Sequence, residues 1–301
     1  MIALLVTLAM LQSPPAAQTQ FSGPATDSLR SLILSRIDAT PGATVALSYV
    51  DLESDERLSI NGDTVFHAAS TMKVPVMIEV LRRSQSRAFS LDQPILLVNR
   101  FHSIVDGSEY SLDRAEDGDS ALYAKLGERV TIRELMRRMI TLSSNLATNQ
   151  LIALVDATNV TAMARSLGAS RMLVLRGVED QKAFDRGLIN TTTSGDLAAL
   201  LLAIESGRAL SAKSSAVMRE ILLAQEFNEK IPAGLPPGTR VAHKTGEITA
   251  VSHDAAIVYR HRKKPYVLVV LTRGVRQSAE SSRLIADLSR IVYAHAAGAG
   301  G

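Results

Sequence analysis

The chain has 301 residues, of which 46% are hydrophobic, and carries a formal net charge of +3. This length and apolar content suffice for a large core in one or two globular domains, and they exclude a disordered chain. The scattered basic residues give no reason to expect a nucleic-acid partner, and the absence of cysteine excludes disulfides, thiolate metal sites and cysteine nucleophiles.

The N-terminal segment is apolar from Ile2 to Leu11 and has no charged residue before Asp27. About ten apolar residues are too few to span a bilayer but suit the hydrophobic region of a secretory signal peptide. The basic residues that usually precede such a region are missing, so a buried N-terminal element is the alternative. We predict a signal peptide over residues 1–17, export to the periplasm or the cell exterior, and no stable membrane span.

The next segments predict a helix followed by a β-hairpin. Thr26 or Asp27 can cap the helix. Its apolar stripe consists of Leu29, Leu32, Ile33 and Ile37. Residues 44–50 alternate between apolar and small or polar side chains, and residues 58–60 follow a polar turn, which together indicate two antiparallel strands.

A serine stands three residues before a lysine in the segment that joins this hairpin to the apolar run Val74–Leu81. If a helix begins near Ser70, its hydroxyl and the amine of Lys73 lie one turn apart on the same face. A lysine can take a serine proton only when its pKa is lowered, as burial would do. Unpaired backbone N–H groups at a helix start can also stabilise a developing oxyanion. Taken alone, such a pair is expected by chance in a chain of this length.

Helical signals dominate from about residue 84 to residue 210. Thr131 and Glu134 form a capping-box pattern before a helix that leads to Ser143-Ser144-Asn145, and another capped helix begins after Thr193. Between these motifs, residues 101–128 are polar. This segment holds the carboxylates of Asp113, Glu116, Asp117 and Asp119. Because they lack the spacing of a calcium-binding loop, we interpret the segment as a solvated loop without chemistry.

Strand signals return at residues 240–244, 254–260 and 265–272, and a closing helix is predicted from Ser278 onward. Strands at both ends of the chain with helices between them predict an α+β fold. One antiparallel sheet, built from residues 18–84 and 211–301, is flanked by helices, and residues 85–210 form an inserted all-α domain.

Three short motifs follow one another along the chain: Ser70-Thr71-Met72-Lys73, Ser143-Ser144-Asn145 and Lys244-Thr245-Gly246. This set resembles the penicillin-recognising serine hydrolases, and within them the class A β-lactamases. The resemblance covers nearly the whole mature chain. It implies the β-lactamase/transpeptidase-like fold and a hydrolase that acts on cyclic amides through an acyl-enzyme.

The resemblance also implies a role for each residue of the first two motifs. Ser70 attacks the amide carbonyl, and Lys73 takes its proton either directly or through a water molecule. Ser143 relays a proton to the leaving nitrogen, and Asn145 binds an amide side chain of the substrate. As isolated residues, Ser143 and Asn145 would be read as an ordinary helix-end hydroxyl and a turn asparagine.

The third motif is expected to bind the acidic end of the substrate. Lys244 and Thr245 hold the substrate carboxylate, Gly246 lets the substrate lie close to the backbone, and the backbone N–H of Glu247 completes the oxyanion hole with that of Ser70. The side chain of Glu247 adds a carboxylate where small residues are commoner, which would repel an anionic substrate. Arg273, after the last strand, is a further candidate for contact with the substrate carboxylate.

The base that releases the acyl-enzyme is the least clear assignment. By position the family's glutamate corresponds best to Glu179, with Asp180 and Asp185 as further candidates, but the Leu-Asn pair that follows it in the family is missing. An exposed loop carboxylate without function is the alternative for Glu179. Ser144 also replaces the family's usual aspartate.

Three functions remain open at this point. The first is a serine β-lactamase, the second a penicillin-sensitive D,D-peptidase or esterase-like hydrolase, and the third a penicillin-binding sensor without turnover. The partner is then a β-lactam or a cell-wall peptide. No cofactor or metal is implied, we expect a monomer, and His67, His243 and His253 look like scattered polar residues beside the motifs.

Overall fold

The computed structural model describes residues 24–298. The predicted signal peptide, residues 1–17, lies outside this range. Within it, no helix combines the length and the apolar character needed to cross a membrane.

The described residues form helices and strands in the following order. The α-helices are α1 (Pro24–Asp38), α2 (Lys73–Gln85), α3 (Ile132–Thr141), α4 (Asn145–Val155), α5 (Ala157–Ser166), α6 (Gln181–Asp185), α7 (Ser194–Glu205), α8 (Ala212–Leu223) and α9 (Ser278–Gly298). The strands are β1 (Thr44–Asp51), β2 (Arg57–Ile60), β3 (Phe66–His67), β4 (Pro94–Leu96), β5 (Phe101–His102), β6 (Glu109–Tyr110), β7 (Arg129–Thr131), β8 (Thr191–Thr192), β9 (Arg240–Ile248), β10 (Val251–Tyr259) and β11 (Tyr266–Arg273). Short 3-10 helices cover Ala69–Met72, Arg114–Glu116, Ser120–Lys125 and Pro232–Gly234.

The main sheet has five antiparallel strands in the order β2-β1-β11-β10-β9. The N-terminal hairpin therefore pairs with the C-terminal strands through β1 and β11, and the predicted sheet built from both ends of the chain is confirmed. Strand β9 runs four residues beyond the predicted end at Lys244, because Thr245 and Gly246 keep the ladder with β10 although they lack an apolar alternation.

The two faces of the sheet pack against different helices. On one face, alternate residues of β1 and β11 share an apolar cluster with Leu29 and Ile33 of α1 and with Leu284 and Leu288 of α9. The intervening residues point into a larger cluster with α2 and α7. This arrangement follows from the period of two along a strand, which sends successive side chains to opposite faces.

Two predictions for α1 were wrong. Leu32 is 57% exposed because the residues that face the sheet, Leu29 and Ile33, are one turn apart and leave Leu32 at the side of the helix. Neither Thr26 nor Asp27 caps the helix, which already begins at Pro24, and the Thr26 hydroxyl donates to Glu56 instead. The division of the chain into a sheet domain and an inserted helical domain stays a proposal.

The helix that carries the Ser-x-x-Lys pair begins differently from the prediction. Ser70 lies in the 3-10 helix Ala69–Met72, and the α-helix starts only at Lys73. Pro75 fits within the first turn of α2, where backbone N–H groups have no intrahelical partner to lose. The Ser70 hydroxyl and the Lys73 amine thus belong to one continuous helical segment.

Candidate active site

The three motifs meet in one cleft. Lys73 Nζ, at the start of α2, donates to the Ser143 carbonyl oxygen at 2.6 Å, to Ser143 Oγ at 3.1 Å and to Asn145 Oδ1 at 2.9 Å. Lys244 Nζ, on β9, donates to the same Ser143 Oγ at 3.0 Å. Ser70 and Thr245 line the cleft beside them. The folded chain therefore brings a hydroxyl and two amines from three distant segments to one place.

The amine of Lys73 is fully buried, and this burial lowers its pKa to about 7. The negative charges of Asp117 and Glu179 oppose the shift without cancelling it. A substantial fraction of Lys73 is therefore neutral at neutral pH, which is the form that can accept a proton from a serine hydroxyl.

The hydroxyl of Ser143 lies between the two lysine amines. Burial, and next the charges of Lys73 and Lys230, hold the pKa of Lys244 well below its ordinary value. The backbone of Ser143 has a φ of 56°, in the left-handed region that a serine rarely adopts. The surrounding structure must therefore fix this conformation, and it holds the hydroxyl where either lysine can exchange a proton with it.

Gly246 has a packing role that sequence reasoning did not find. A Cβ atom on this residue would lie 3.1 Å from the backbone nitrogens of Ser70 and Thr71. Glycine therefore allows β9 to contact the 3-10 helix that carries the nucleophile. The backbone of Glu247 then follows on the cleft side, where the sequence predicts the second oxyanion donor.

His67 and His253 support the segment before Ser70. The interpretation of these two histidines as scattered polar residues was therefore wrong. His253 is buried, burial lowers its pKa to about 4, and its Nε2 contacts the His67 carbonyl oxygen at 2.8 Å. The backbone N–H of Ala69, whose φ is 44°, donates to His67 Nδ1 at 2.9 Å. The Nδ1 atom of His253 lies 2.7 Å from the Ser252 carbonyl oxygen and 3.2 Å from the Thr272 backbone nitrogen.

Glu179 lies in the part of the cleft that Ser70 and Asn145 also line. Its Oε1 accepts a hydrogen bond from Asn145 Nδ2 at 2.7 Å, and its Oε2 accepts one from the Asp113 backbone N–H at 3.2 Å. Burial raises the pKa of Glu179, while these two hydrogen bonds act in the opposite direction. The Asn145 amide therefore bridges Lys73 and Glu179.

The other two carboxylates considered for this role are engaged elsewhere. Asp180 is buried, and its Oδ1 accepts from Ser103 Oγ at 2.8 Å and from the Ala183 backbone N–H at 3.1 Å. Asp185 is exposed and accepts from Gln181 at 2.6 Å within the same short helix. The geometry thus favours Glu179 among the three candidates.

Asn149 fixes the loop that carries Glu179. Its Oδ1 accepts from the Val178 backbone N–H at 2.7 Å, and its Nδ2 donates to the Val178 carbonyl oxygen at 3.0 Å. Gly177 permits this contact, because a Cβ there would lie 2.4 Å from Asn149 Oδ1. Sequence reasoning missed Asn149, although its position one helical turn after Asn145 places both amides on one face of α4.

The polar loop before α3 was wrongly interpreted as solvated and without chemistry. Asp117 is buried, and its carboxylate accepts the backbone N–H groups of Asn145 at 3.0 Å and Leu146 at 2.8 Å. The unpaired N–H groups and the positive end of the dipole at the start of α4 attract this carboxylate. Ser144, where the family has aspartate, caps the same helix by accepting from the Ala147 N–H at 3.2 Å. Asp117 therefore helps to position the Ser143-Ser144-Asn145 motif.

Substituting Asp117→Asn is expected to shift the pH dependence of acylation toward lower pH and to destabilise the protein. The amide keeps one acceptor but brings a donor against a backbone N–H, which costs about 1–3 kcal/mol. It also removes the negative charge that most strongly raises the pKa of Lys73. Acylation rates between pH 5 and 9 and thermal unfolding measure the two effects. Glu128→Gln removes an exposed charge from the same loop and serves as the control. If the pH profile of acylation in Asp117→Asn stays in place while stability falls, Asp117 has a purely structural role.

Lys230 is a further residue of the site that the sequence did not reveal. Its buried amine donates to Glu247 Oε2 at 2.9 Å, and both residues line the cleft. Arg273, the cation expected from the sequence, instead lies over the Phe66 ring at 4.9 Å and donates to the Val65 carbonyl oxygen. Across residues 24–298, no cluster of three or more His, Asp or Glu side chains is arranged to hold a metal ion.

A serine beside a partly neutral buried lysine, with a second hydroxyl and a second amine across the cleft, defines a serine acyl-transfer site. The model of the β-lactamase enzyme family matches residues 25–296, and the chain belongs to this family. The resemblance to class A β-lactamases that the three motifs indicated is confirmed.

Relatives and solved structures agree with this assignment. Beta-lactamase AST-1 of Nocardia asteroides is 30% identical over 282 residues, which are 89% of this chain and 86% of that protein. The crystal structure of a beta-lactamase from Sphaerobacter thermophilus superimposes with a TM-score of 0.78 at 27% identity, covering 90% of this chain and 98% of that one. The structure of PBP-A gives a TM-score of 0.76 at 28% identity, covering 89% and 95%. A mutant of PBP-A was also solved as an acyl-enzyme complex with penicillin G.

Proposed function

We propose that this protein is a serine β-lactamase that hydrolyses β-lactams through an acyl-enzyme on Ser70. The observation that carries the proposal is the bridge formed by Asn145, which contacts the amine of Lys73 on one side and the carboxylate of Glu179 on the other, beside Ser70. An acylation base and a candidate deacylation base thus share one cleft with the nucleophile. Family membership supports the same reaction.

In the acylation half-reaction, neutral Lys73 takes the proton of the Ser70 hydroxyl, and Ser70 Oγ attacks the lactam carbonyl carbon. The backbone N–H groups of Ser70 and Glu247 stabilise the negative charge on the carbonyl oxygen. When the C–N bond breaks, the ring nitrogen needs a proton, which Ser143 supplies. Ser143 recovers a proton from Lys73, whose amine lies 3.1 Å from its hydroxyl, so that the lysine returns to its neutral form.

The other motif residues would orient the substrate. Lys244, Thr245 and Gly246 line one side of the cleft and would receive the acidic group of the lactam. Asn145 would receive the side-chain amide; since its own amide already contacts Lys73 and Glu179, the substrate must share or replace one of these hydrogen bonds. Export to the periplasm or the cell exterior belongs to this proposal and depends on the apolar N-terminal segment.

In the deacylation half-reaction, the ionised carboxylate of Glu179 takes a proton from a water molecule, and the resulting hydroxide attacks the ester carbon. Breaking the ester bond returns the oxygen to Ser70, and the proton passes back from Glu179 to Ser70. The accessible position of Glu179 at the cleft and the contact between Asn149 and Val178, which holds its loop, support this role.

Time-resolved mass spectrometry with a penicillin, together with turnover of a chromogenic cephalosporin, tests the proposal. We expect many turnovers per enzyme and a transient adduct on the peptide that contains Ser70. Ser70→Ala should remove both the adduct and the turnover. A single stoichiometric burst in the unaltered protein would contradict a β-lactamase.

A D,D-peptidase is the second candidate, and two observations support it. The loop around Glu179 lacks the Leu-Asn pair of the class A enzymes, and the fold is similar to that of PBP-A. The acylation machinery would be unchanged, since it also acts on a peptide carbonyl. Release of D-alanine from a peptide ending in two D-alanines, with negligible lactam turnover, would decide for this candidate.

A further inference from the structure

The carboxylate of Glu247 is bound at both oxygens on the wall of the cleft. Its Oε2 accepts a hydrogen bond from Lys230 Nζ at 2.9 Å, and its Oε1 accepts a short hydrogen bond from the hydroxyl of Ser278. The side chain is 41% exposed, so this ion pair faces the space that a substrate would enter. Glu247 directly follows the Lys244-Thr245-Gly246 motif, which places its charge next to the region expected to receive the substrate's acid.

Lys230 differs from an ordinary surface lysine because its side chain is only 1% exposed. A buried ammonium requires a counter-charge and hydrogen-bond acceptors close by. Within the described part of the chain, the side-chain partner of its amine is Glu247. The charge of Lys230 also contributes to the lowered pKa of Lys244. Lys230 would thus be available to an anionic substrate if Glu247 did not neutralise it.

We propose that Glu247 is a specificity-determining residue, whose carboxylate occupies the counter-ion position beside Lys230 and Ser278 that a substrate carboxylate would otherwise take. The cleft then reacts more slowly with acyl donors that carry an anionic group beside the leaving nitrogen than with neutral acyl donors of the same shape. This inference rests on the proposed acylation of Ser70 and names the substrate class that the site favours.

The electrostatic state of the pair supports the inference. Burial acts to raise the pKa of Glu247, but the hydrogen bonds from Ser278 and Lys230 outweigh it, and the pKa lies below its ordinary value. Glu247 is therefore ionised throughout the neutral range. A second carboxylate brought beside it meets a like charge in a partly desolvated cleft, which we expect to cost roughly tenfold in binding.

The test compares two acyl donors that differ in one charge. A cephalosporin with a free ring carboxylate and the methyl ester of the same compound are used to acylate the protein, and the second-order rate constant for the adduct on Ser70 is measured by intact mass. In Glu247→Gln, the ratio of the acid's rate constant to the ester's should rise by about tenfold, since the like charge is removed and Lys230 is released. When the donor concentration is varied, the change should lie in the apparent dissociation constant of the acid more than in the limiting rate constant for adduct formation.

Two further variants keep the result interpretable. Glu280→Gln removes a negative charge two residues from Ser278 but outside the cleft, and should change the ratio less than about twofold because the exposed charge is screened. If Glu247→Gln folds poorly because Lys230 is left unpaired, the double substitution of Glu247→Gln with Lys230→Met removes both charges of the pair. Its ratio should lie between those of the wild type and the single variant.

An unchanged ratio in Glu247→Gln, or an equal change for the acid and the ester, would overturn the inference. The measurement reports only the formation of the adduct. An adduct that forms but does not hydrolyse would therefore count against a β-lactamase. The ratio of the two acylation rate constants would still be measurable and would still test the role of Glu247. Absence of any adduct on Ser70 would instead reject the proposed function itself.

Discussion

Replacing Glu179 by glutamine is expected to slow hydrolysis of the Ser70 acyl-enzyme by a factor of roughly a hundred to ten thousand, the usual contribution of a general base. If Lys73 takes the Ser70 proton directly, formation of the acyl-enzyme should change by only a few-fold. The amide can still accept the hydrogen bond from Asn145, but it cannot take a proton from water. A penicillin adduct that disappears quickly in the wild type should therefore persist in the variant, as followed by intact mass over time.

The matched control for this experiment is Asp185→Asn. Asp185 is exposed, ends the short helix α6 that follows the Glu179 loop, and bonds locally to Gln181, so the variant removes a nearby negative charge without touching the cleft. Its acyl-enzyme should have the lifetime of the wild type. If Glu179→Gln turns over lactams at the wild-type rate, another group activates the water, and the role assigned to Glu179 is wrong.

The residues that sequence reasoning placed correctly in the cleft belong to segments with strong local signals. Ser70 and Lys73 share one helical segment, Ser143 and Asn145 stand at a capped helix start, and Lys244 lies on an apolar strand. Each motif specifies its own local geometry, and the order of strands and helices along the chain then indicates how the pieces meet. The fold brings these motifs together, and the chemical role of each residue is still a proposal.

The residues that were missed act through contacts between distant segments. Asp117 lies in a polar loop with no periodicity, and its place at the start of α4 depends on how that loop crosses the helix. Lys230 follows helix α8 by several residues and is buried where its amine pairs with Glu247 of β9. A carboxylate or an amine in a loop is interpreted as solvated unless the sequence indicates a partner for it. Here the partners of Asp117 are backbone N–H groups, and the partner of Lys230 is a residue 17 positions away.

The rate of acylation of Ser70 should rise with pH through an apparent pKa of about 7 and then level off. Lys73 accepts the serine proton only in its neutral form, and burial lowers the pKa of Lys73 to about 7. Two pH units below this value, about 1% of the lysine is neutral, so the second-order rate constant for acylation should be roughly a hundredfold below the plateau. Stopped-flow or intact-mass measurements from pH 5 to 9 give this profile. Lys73→Arg should lower the plateau by roughly a hundred- to ten-thousand-fold and remove the limb near pH 7, since arginine does not deprotonate in this range.

The same profile, measured in Glu179→Gln, separates the two routes by which the Ser70 proton can leave. If Lys73 takes it directly, the limb persists and shifts to lower pH, because the negative charge of Glu179 raises the pKa of Lys73 and the substitution removes it. If Glu179 takes the proton through a water molecule, the limb reflects the raised pKa of that carboxyl and disappears together with most of the acylation rate. Deacylation in the wild type follows the ionised form of Glu179 in either case. If Glu179 serves both steps, the acid limbs of acylation and deacylation should coincide; if Lys73 takes the Ser70 proton, the two limbs report different groups and should separate.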